Sequence, residues 1–234
     1  MNSAVIVAAG RGERFGQGEK QFAPLLDRPV LWHAVAAFGC SSSIDHIVIV
    51  TREELIPQCL SEVADAVSET PLTVVGGRED RQGSVLAGLD ACPEETALVW
   101  IHDGDRPLIT VEAIDESAGR RAGLDGLIFA SPVVDTLKEV EGGVVTATRP
   151  RERFFRAETP QLFPFQTALA AHERAADDGF AGTDDAALVE RYGGRVGIFE
   201  HGQLNIKVTT VDDLFVIEQE LRRRQDMIGL ADGD

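Results

Sequence analysis

The chain has 234 residues, of which 44% are hydrophobic, and a formal net charge of −17. This length suits one domain, and the apolar fraction is large enough for a substantial core. The negative charge argues against nucleic acid or an anionic membrane as a general partner, although a local basic cluster would still attract a small anion. No apolar run reaches the length of a transmembrane helix.

The three cysteines also restrict the interpretation. Cys40, Cys59 and Cys92 are odd in number and far apart, and none belongs to a C-x-x-C pair. This usage predicts a reducing compartment and no structural metal site. The first apolar run begins at the third residue, which predicts that no signal or transit peptide is present. We therefore expect a cytoplasmic protein.

Apolar runs alternate with helical patterns along the chain. Strands are predicted at residues 4–8, 46–50, 72–75, 97–102, 127–130 and 195–199. Helices are predicted at residues 29–38, 53–64, 81–91, 111–122, 165–176, 184–192 and 211–225. Apolar strands separated by amphipathic helices are typical of an α/β fold with a doubly wound, mostly parallel sheet covered on both faces. Ligands of such sheets bind beyond the carboxyl ends of the strands, where the strand order switches.

One region breaks this alternation. Residues 135–146 predict two short strands around the turn Glu141-Gly142-Gly143, which would form a protruding β-hairpin arm over about 135–150. An isolated hairpin is only marginally stable in water. The simplest partner is the same arm of a second subunit, so we expect a homodimer.

The segment after the first strand has the composition of a phosphate-binding loop. Glycine lets the backbone approach an anion, which main-chain N–H groups then bind. The spacing departs from the dinucleotide fingerprint because Phe15 stands at the third glycine position, and from the P-loop because Lys20 is followed by Gln21. The glycines Gly10 and Gly12 together with Lys20 remain, and they suit a nucleoside triphosphate.

Lysine is rare in this chain. Of 22 basic residues only Lys20, Lys138 and Lys207 are lysines. A lysine here therefore suggests a position that needs a compact point charge, although chance would also explain it. Lys20 would stabilise charge on a triphosphate in the transition state, and the alternative is a solvated loop residue.

A second group of polar residues follows the strand at 97–102. Asp103 at the strand end predicts a Mg²⁺ ligand, since Mg²⁺ binds few carboxylates and several phosphate oxygens. Arg106 would hold a second phosphate. The alternative is an ordinary turn built on Asp-Gly and Pro. We interpret His102 as a structural neighbour, and the role of Asp105 stays open.

Three further segments carry weaker signals. Gly76-Gly77 would close over a flat base, and Ser84 would bond a base or phosphate, or simply cap the helix. Four arginines between 149 and 156 suggest a phosphate partner or surface ion pairs. The third segment, Thr183-Asp184-Asp185, opens a predicted helix, and Thr183 would be a good N-cap there.

Together these segments resemble the 2-C-methyl-D-erythritol 4-phosphate cytidylyltransferase family over nearly the whole chain, as one nucleotidyltransferase domain at 1–234 with a Rossmann-like core. The motifs that carry the resemblance are Ala8-Ala9-Gly10-x-Gly12-x-Arg14, Lys20-Gln21, Ser84-Val85-Leu86-Ala87-Gly88-Leu89, His102-Asp103-x-x-Arg106-Pro107, Asp135-Thr136-x-Lys138, Thr159-Pro160-Gln161, Thr183-Asp184 and Asn205-Ile206-Lys207-Val208-Thr209.

The resemblance implies that CTP and the methylerythritol phosphate react with Mg²⁺ present, and that pyrophosphate leaves. It implies that Arg14 and Lys20 stabilise the transition state and that Arg151 and Lys207 aim the substrate phosphate. The nucleotide would meet Ala8, Ala9, Gly10, Gly12 and Ser84. Asp103 would bind Mg²⁺, and the sugar phosphate would be surrounded by Arg106, Thr136, Arg151, Thr159, Thr183 and Lys207. The family's arm interlocks with a partner subunit.

The chain departs from the family pattern in two places, with Glu19 where Pro is common and Gly104-Asp105 where small residues are usual. The first alternative is a cytidylyltransferase that uses ribitol 5-phosphate. The second is a non-catalytic nucleotide-binding module. The third is an NADP-dependent oxidoreductase, which Arg52 suggests.

Overall fold

The structure is a computed structural model of the 234-residue chain. It describes every residue except Arg11, Glu13, Arg14, Gln17, Ser68 and residues 232–234, and for residues 228–231 it describes only the backbone.

The strands are β1 (Asn2–Val7), β2 (Pro24–Leu25), β3 (Arg28–Pro29), β4 (His46–Thr51), β5 (Leu72–Gly76), β6 (Leu98–Asp103), β7 (Gly126–Pro132), β8 (Leu137–Glu141), β9 (Val144–Arg149), β10 (Phe155–Pro164) and β11 (Val196–Phe199). The helices are α1 (Val30–Gly39), α2 (Ile56–Val63), α3 (Arg81–Asp90), α4 (Val111–Arg120), α5 (Phe165–Asp177), α6 (Asp185–Arg191) and α7 (Val211–Ala231).

Within the described residues the strands form a seven-stranded sheet in the order β11-β7-β10-β6-β1-β4-β5. β1 pairs in parallel with both β4 and β6, and β4 pairs in parallel with β5. The chain thus builds one half of the sheet from β1 through β4 to β5 and then returns to the other side of β1. The predicted doubly wound, mostly parallel α/β fold is confirmed.

Alternation along β1 explains how the sheet is covered. Ala4 and Ile6 belong to the core that α1, α2 and α4 cover, whereas Val5 belongs to the core that α3, α5 and α6 cover. All three are 0% exposed. Successive side chains of a strand point to opposite faces, so a strand between two helical layers must be apolar throughout.

Strand β10 was not among the predicted strands. It lies antiparallel between β6 and β7, and its register shifts between Ala157 and Gln161. Its sequence contains Pro160 and ionisable residues, which argue against a strand when they are read locally. The segment still forms a strand because it pairs with β6 on one side and with β7 on the other. The strand carries Thr159 to the end of β6.

The predicted arm is an exposed antiparallel hairpin of β8 and β9. Gly142 and Gly143 have φ values of +56° and +80° at the turn, a conformation that favours glycine. Three valines of the arm, Val140, Val144 and Val145, are each more than half exposed.

A third cluster of buried residues joins distant parts of the chain. It contains Ala23, Val208 and Ile217, the last of these on α7. Ala23 follows the segment that carries Lys20, and Val208 follows Lys207. Packing of these apolar side chains therefore brings the two lysine segments together. No helix in the described part of the chain combines the length and apolar character needed to cross a membrane.

His102 lies in β6 with no exposed surface. Its Nε2 lies 3.2 Å from the carbonyl oxygen of Arg106, and its Nδ1 lies 3.2 Å from Thr159 Oγ1. Burial lowers the pKa of His102 to about 3, so the ring is neutral near pH 7. A neutral ring donates to the carbonyl and accepts from the hydroxyl, and so braces the end of β6.

Replacing two helix glycines by alanine should change the free energy of unfolding in opposite directions. A Cβ at Gly88 on α3 would lie 2.4 Å from Val5 Cγ1, whereas Gly119 on α4 has no neighbour within 4 Å. We expect Gly88→Ala to lower the free energy of unfolding by about 1–3 kcal/mol through overpacking. Gly119→Ala should raise it by about 0.5 kcal/mol, because it restricts the unfolded chain. Urea unfolding of both variants measures this, and equal effects would contradict the packing.

His102 should make stability depend on pH. Its folded pKa lies below that of the unfolded chain, so the unfolded state binds a proton that the folded state does not. Stability from the neutral ring is complete above about pH 6.5 and falls as the pH is lowered towards 3. Between pH 6 and pH 4 we expect His102→Gln to show a slope shallower by up to about 1.4 kcal/mol per pH unit. Urea unfolding at each pH measures the free energy of unfolding. If that free energy changed with pH by the same amount in wild type and variant over this range, the assignment would be wrong.

Candidate functional site

A cleft of about 790 Å³ opens at the carboxyl ends of β1, β4, β5 and β6. Val7, Arg52, Gly77 and Asp103, at or just beyond those four ends, line it. The strand order switches beside β1, which is where open α/β sheets bind ligands. A smaller hollow of about 310 Å³ borders α5 and contains none of the predicted site residues.

Two glycine-containing loops meet on one wall of the cleft. Ala8, Ala9 and Gly10 follow β1 and line the wall. A Cβ at Gly77 would lie 2.7 Å from the Ala9 Cβ and 2.8 Å from Ser84 Oγ, so the second loop approaches this closely only as glycine. Small residues in both loops would let the backbone approach a flat base or a phosphate closely.

Gly12 shapes the part of the first loop next to Lys20. Its φ is +62°, and a Cβ there would lie 3.4 Å from Lys20 Cγ and Cδ. Both residues line the cleft. The Lys20 side chain therefore lies across the glycine, which steers its ammonium inward.

Ser84 does not cap α3. The cap is Asp80, whose Oδ1 accepts a hydrogen bond from the Gly83 N–H at 2.6 Å. Ser84 is 1% exposed, and its Oγ accepts from the Arg78 N–H at 3.1 Å. Ser84 thus holds the second loop against the helix at the edge of the cleft, so the capping alternative is wrong.

Asp103 lies at the end of β6 and is 7% exposed. Its Oδ1 lies 3.0 Å from Arg81 Nε, and its Oδ2 lies 2.9 Å from Lys207 Nζ. Arg106 Nε approaches Oδ2 at 3.5 Å. Burial alone would raise the pKa of Asp103, but Arg81, Lys207 and Arg106 outweigh it and hold the pKa well below its usual range. The carboxylate is therefore charged at neutral pH.

Asp105 forms the second acidic centre, two residues further on. It is 7% exposed and pairs with the ammonium of Lys20. Its Oδ1 lies 3.8 Å from Lys207 Nζ. Lys20, Asp105, Lys207 and Asp103 therefore alternate in charge along this part of the cleft, and the two lysines come from opposite ends of the chain.

Backbone contacts fix the segment that carries Lys207. The Val208 N–H donates to the Asp105 carbonyl oxygen at 2.8 Å. Asn205 Nδ2 donates to the Thr159 carbonyl oxygen at 2.8 Å, and the Asn205 carbonyl oxygen accepts from Arg106 Nη1 at 2.9 Å. These bonds anchor the segment to the loop after β6 and to β10.

Arg106 and Thr159 lie behind the cleft rather than on its lining. Arg106 is engaged by Asn205 and Asp103. Thr159 is 4% exposed, and its Oγ1 accepts from the Asp103 N–H at 3.0 Å. In this single chain both residues position Asp103 and the Lys207 segment.

Three other predicted residues are exposed and do not line the cleft. Thr136 and Arg151 lie at the base of the arm, where Arg151 donates to the Val134 carbonyl oxygen. Thr183 precedes α6, whose N-cap is Asp184 and not Thr183. Arg14 falls outside the described residues. The structure thus brings together Ala8, Ala9, Gly10, Gly12, Lys20, Ser84, Asp103 and Lys207.

Sequence reasoning missed the partners beneath Asp103. Arg81, at the start of α3, also pairs with Asp185 at 2.9 Å, and Asp185 is 2% exposed. Asp185 looked like an ordinary first-turn carboxylate, and Arg81 lay in a loop with several charges. Only their pairing in the folded chain distinguishes them from their charged neighbours.

Glu19 also has a place in the site. It pairs with Arg52, the residue that follows β4. Glu19 immediately precedes Lys20, so this ion pair ties the lysine's segment to the sheet. The local sequence gave no reason to join residues so far apart.

Comparisons with known proteins point to one family. The sequence model of the 2-C-methyl-D-erythritol 4-phosphate cytidylyltransferase family matches residues 2–223. A protein of that name from Geotalea uraniireducens is 42% identical over 224 residues, covering 94% of this chain and 96% of the relative. Another from Halalkalibacterium halodurans is 39% identical over 226 residues, covering 95% and 98%.

Solved structures agree. A 4-diphosphocytidyl-2C-methyl-D-erythritol synthase from Anaerococcus prevotii superimposes with a TM-score of 0.83 at 26% identity, covering 94% of this chain and 97% of that one. A 2-C-methyl-D-erythritol 4-phosphate cytidylyltransferase from Thermus thermophilus gives 0.76 at 28% identity, covering 95% and 100%. The resemblance read from the motifs is confirmed, and the chain belongs to the 2-C-methyl-D-erythritol 4-phosphate cytidylyltransferase family.

Proposed function

We propose that this protein joins CTP to 2-C-methyl-D-erythritol 4-phosphate, giving 4-diphosphocytidyl-2-C-methyl-D-erythritol and pyrophosphate for isoprenoid biosynthesis. The observation that carries the proposal is the convergence of the glycine loop, Lys20, Asp103 and Lys207 in one cleft at the switch in strand order. The comparisons favour this acceptor over ribitol 5-phosphate and over a non-catalytic module.

The chemistry needs two anions to approach each other. An oxygen of the sugar phosphate attacks the α-phosphorus of CTP, a new P–O bond forms, and the bond to the leaving pyrophosphate breaks with its electron pair. No covalent enzyme intermediate is needed, because the substrate phosphate is the nucleophile. Lys20 and Lys207 would reduce the repulsion, and the glycine loop would hold the triphosphate in line. Arg14 is proposed for the same role on the resemblance alone.

Asp103 and Asp105 together suit a divalent cation such as Mg²⁺. Mg²⁺ in nucleotide sites binds one or two carboxylates, and phosphates and water supply its other ligands. Asp103 and Asp105 offer this donor set, and Asp105 Oδ1 has no hydrogen-bond partner among the described residues. The described residues contain no group of three His, Cys, Asp or Glu side chains that could hold a metal ion. The cation would neutralise triphosphate charge.

The acceptor side of the site supports a homodimer. Thr136, Arg151 and Thr183 lie on the surface of a single chain, away from the cleft lining. The arm next to Thr136 and Arg151 carries three valines that are each more than half exposed in the single chain. We propose that two arms interlock and that a partner's arm residues complete the sugar-phosphate site.

We also propose the cytoplasm as the working compartment. All three cysteines are free. Burial raises the pKa of Cys59 and of Cys92 to about 12, so both stay as thiols at neutral pH. Such thiols suit a reducing environment.

Turnover measured by pyrophosphate release tests the proposed reaction. With CTP and Mg²⁺ we expect turnover with 2-C-methyl-D-erythritol 4-phosphate and a clear preference for it over ribitol 5-phosphate. In the same assay Lys20→Ala should lower kcat by about a hundredfold, comparable with the loss of an oxyanion donor. Arg120→Ala removes an exposed cation that pairs with Glu116 and serves as the control.

Two results would reject this proposal. Faster turnover with ribitol 5-phosphate would show that the proposed acceptor is wrong. A Lys20→Ala variant with wild-type kcat and only weaker CTP binding would remove the catalytic role of the lysine.

The arm predicts a second measurable property. Val140 and Val145 are a cross-strand pair, and each is 55% exposed in the single chain. We expect the wild-type protein to sediment at twice the mass of the chain. Replacing both valines by Asp should shift it to monomer at micromolar concentration, because each charge would be buried in the dimer. Leu60→Asp, at an exposed apolar residue on α2, should leave the dimer intact. Dimerisation unaffected by the valine changes would exclude the arm as the interface.

A further inference from the structure

The charges of Asp103 and Asp105 are not equally compensated. Asp103 has a direct cation partner on each oxygen, Arg81 on one and Lys207 on the other. Asp105 has Lys20 on one oxygen, whereas its other oxygen is buried, has no hydrogen-bond partner among the described residues, and lies 3.8 Å from Lys207 Nζ. Asp105 therefore depends on Lys20 for its charge balance.

Lys20 is correspondingly occupied. Its side chain is 15% exposed, its ammonium pairs with Asp105, and Nζ also lies 3.4 Å from the Val208 carbonyl oxygen. A phosphate that takes up Lys20 must compete with this carboxylate. A buried carboxylate that loses its counterion is strongly unfavourable. In a cation-free protein, nucleotide binding therefore carries a cost at Asp105.

A divalent cation removes that cost. Asp105 is two residues from Asp103 and lines the same cleft, and Mg²⁺ accepts a second carboxylate together with phosphate oxygens.

We propose that Asp105 couples the binding of the divalent cation to that of the nucleotide. It holds Lys20 in the cation-free protein and becomes the second carboxylate for the cation that accompanies the triphosphate, which releases Lys20 to the phosphates. This inference rests on the proposed function, because it takes CTP as the nucleotide.

Calorimetric titration of CTP without the sugar phosphate tests the coupling, since no turnover occurs. The affinity is measured in EDTA and in excess MgCl₂ at equal ionic strength. In EDTA we expect Asp105→Asn to bind CTP about tenfold more tightly than the wild type, because Lys20 is no longer held and one negative charge is gone. The factor by which Mg²⁺ strengthens CTP binding should be about tenfold smaller in the variant than in the wild type.

A matched control and a second variant make the result specific. Glu116→Gln removes a carboxylate from an exposed ion pair with Arg120 on α4. Its coupling factor, meaning the factor by which Mg²⁺ strengthens CTP binding, should match that of the wild type within twofold. Asp105→Ala should behave like Asp105→Asn, and circular dichroism identifies the variant that folds. The alanine therefore keeps the test valid if the asparagine does not fold.

The possible failures are distinguishable. A wild-type coupling factor in folded Asp105→Asn or Asp105→Ala overturns the role of Asp105 and leaves the proposed function standing. A wild-type protein that binds no CTP even in MgCl₂ overturns the proposed function together with this inference.

Discussion

The structure of the cleft depends on one buried anion, the carboxylate of Asp103. It ends a central strand whose first four residues are apolar, and it is 7% exposed. Removing a partner from a buried ion pair costs on the order of 3 kcal/mol. Arg81 from α3, Lys207 from the segment before α7 and Arg106 from the loop after β6 must therefore converge on this point. Their convergence positions three chain segments around the cleft.

The same charges give the cleft its chemical character. The two lysines that line the cleft already have a carboxylate partner in the protein: Lys20 has Asp105, and Lys207 has Asp103. The lysines are thus held in place before a ligand arrives, which lowers the reorganisation needed for electrostatic stabilisation. Binding an anion then becomes an exchange of partners. The chain has a net charge of −17, yet these two lysines place positive charge inside the cleft, where it can attract an anionic ligand.

Local patterns were sufficient for some features and insufficient for others. The run at β1 predicted a fully buried strand because both sheet faces are covered. The Glu-Gly-Gly turn predicted the arm because few other residues accept its backbone geometry. Strand β10 was missed because Pro160 and the charged residues near it argue against a strand until its two neighbours are known. Arg81 and Asp185 were missed because their pairing joins positions 104 residues apart.

The sequence by itself determined the alternation of strands and helices, the glycine loop after β1 and the singular position of Lys20, because these follow from periodicity and residue chemistry over short distances. Only the tertiary structure decided which charges compensate one another. Lys207 reaches Asp103 because apolar packing of Ala23, Val208 and Ile217 brings distant segments together. Burial then makes each pairing obligatory, since a charge removed from water must have a partner.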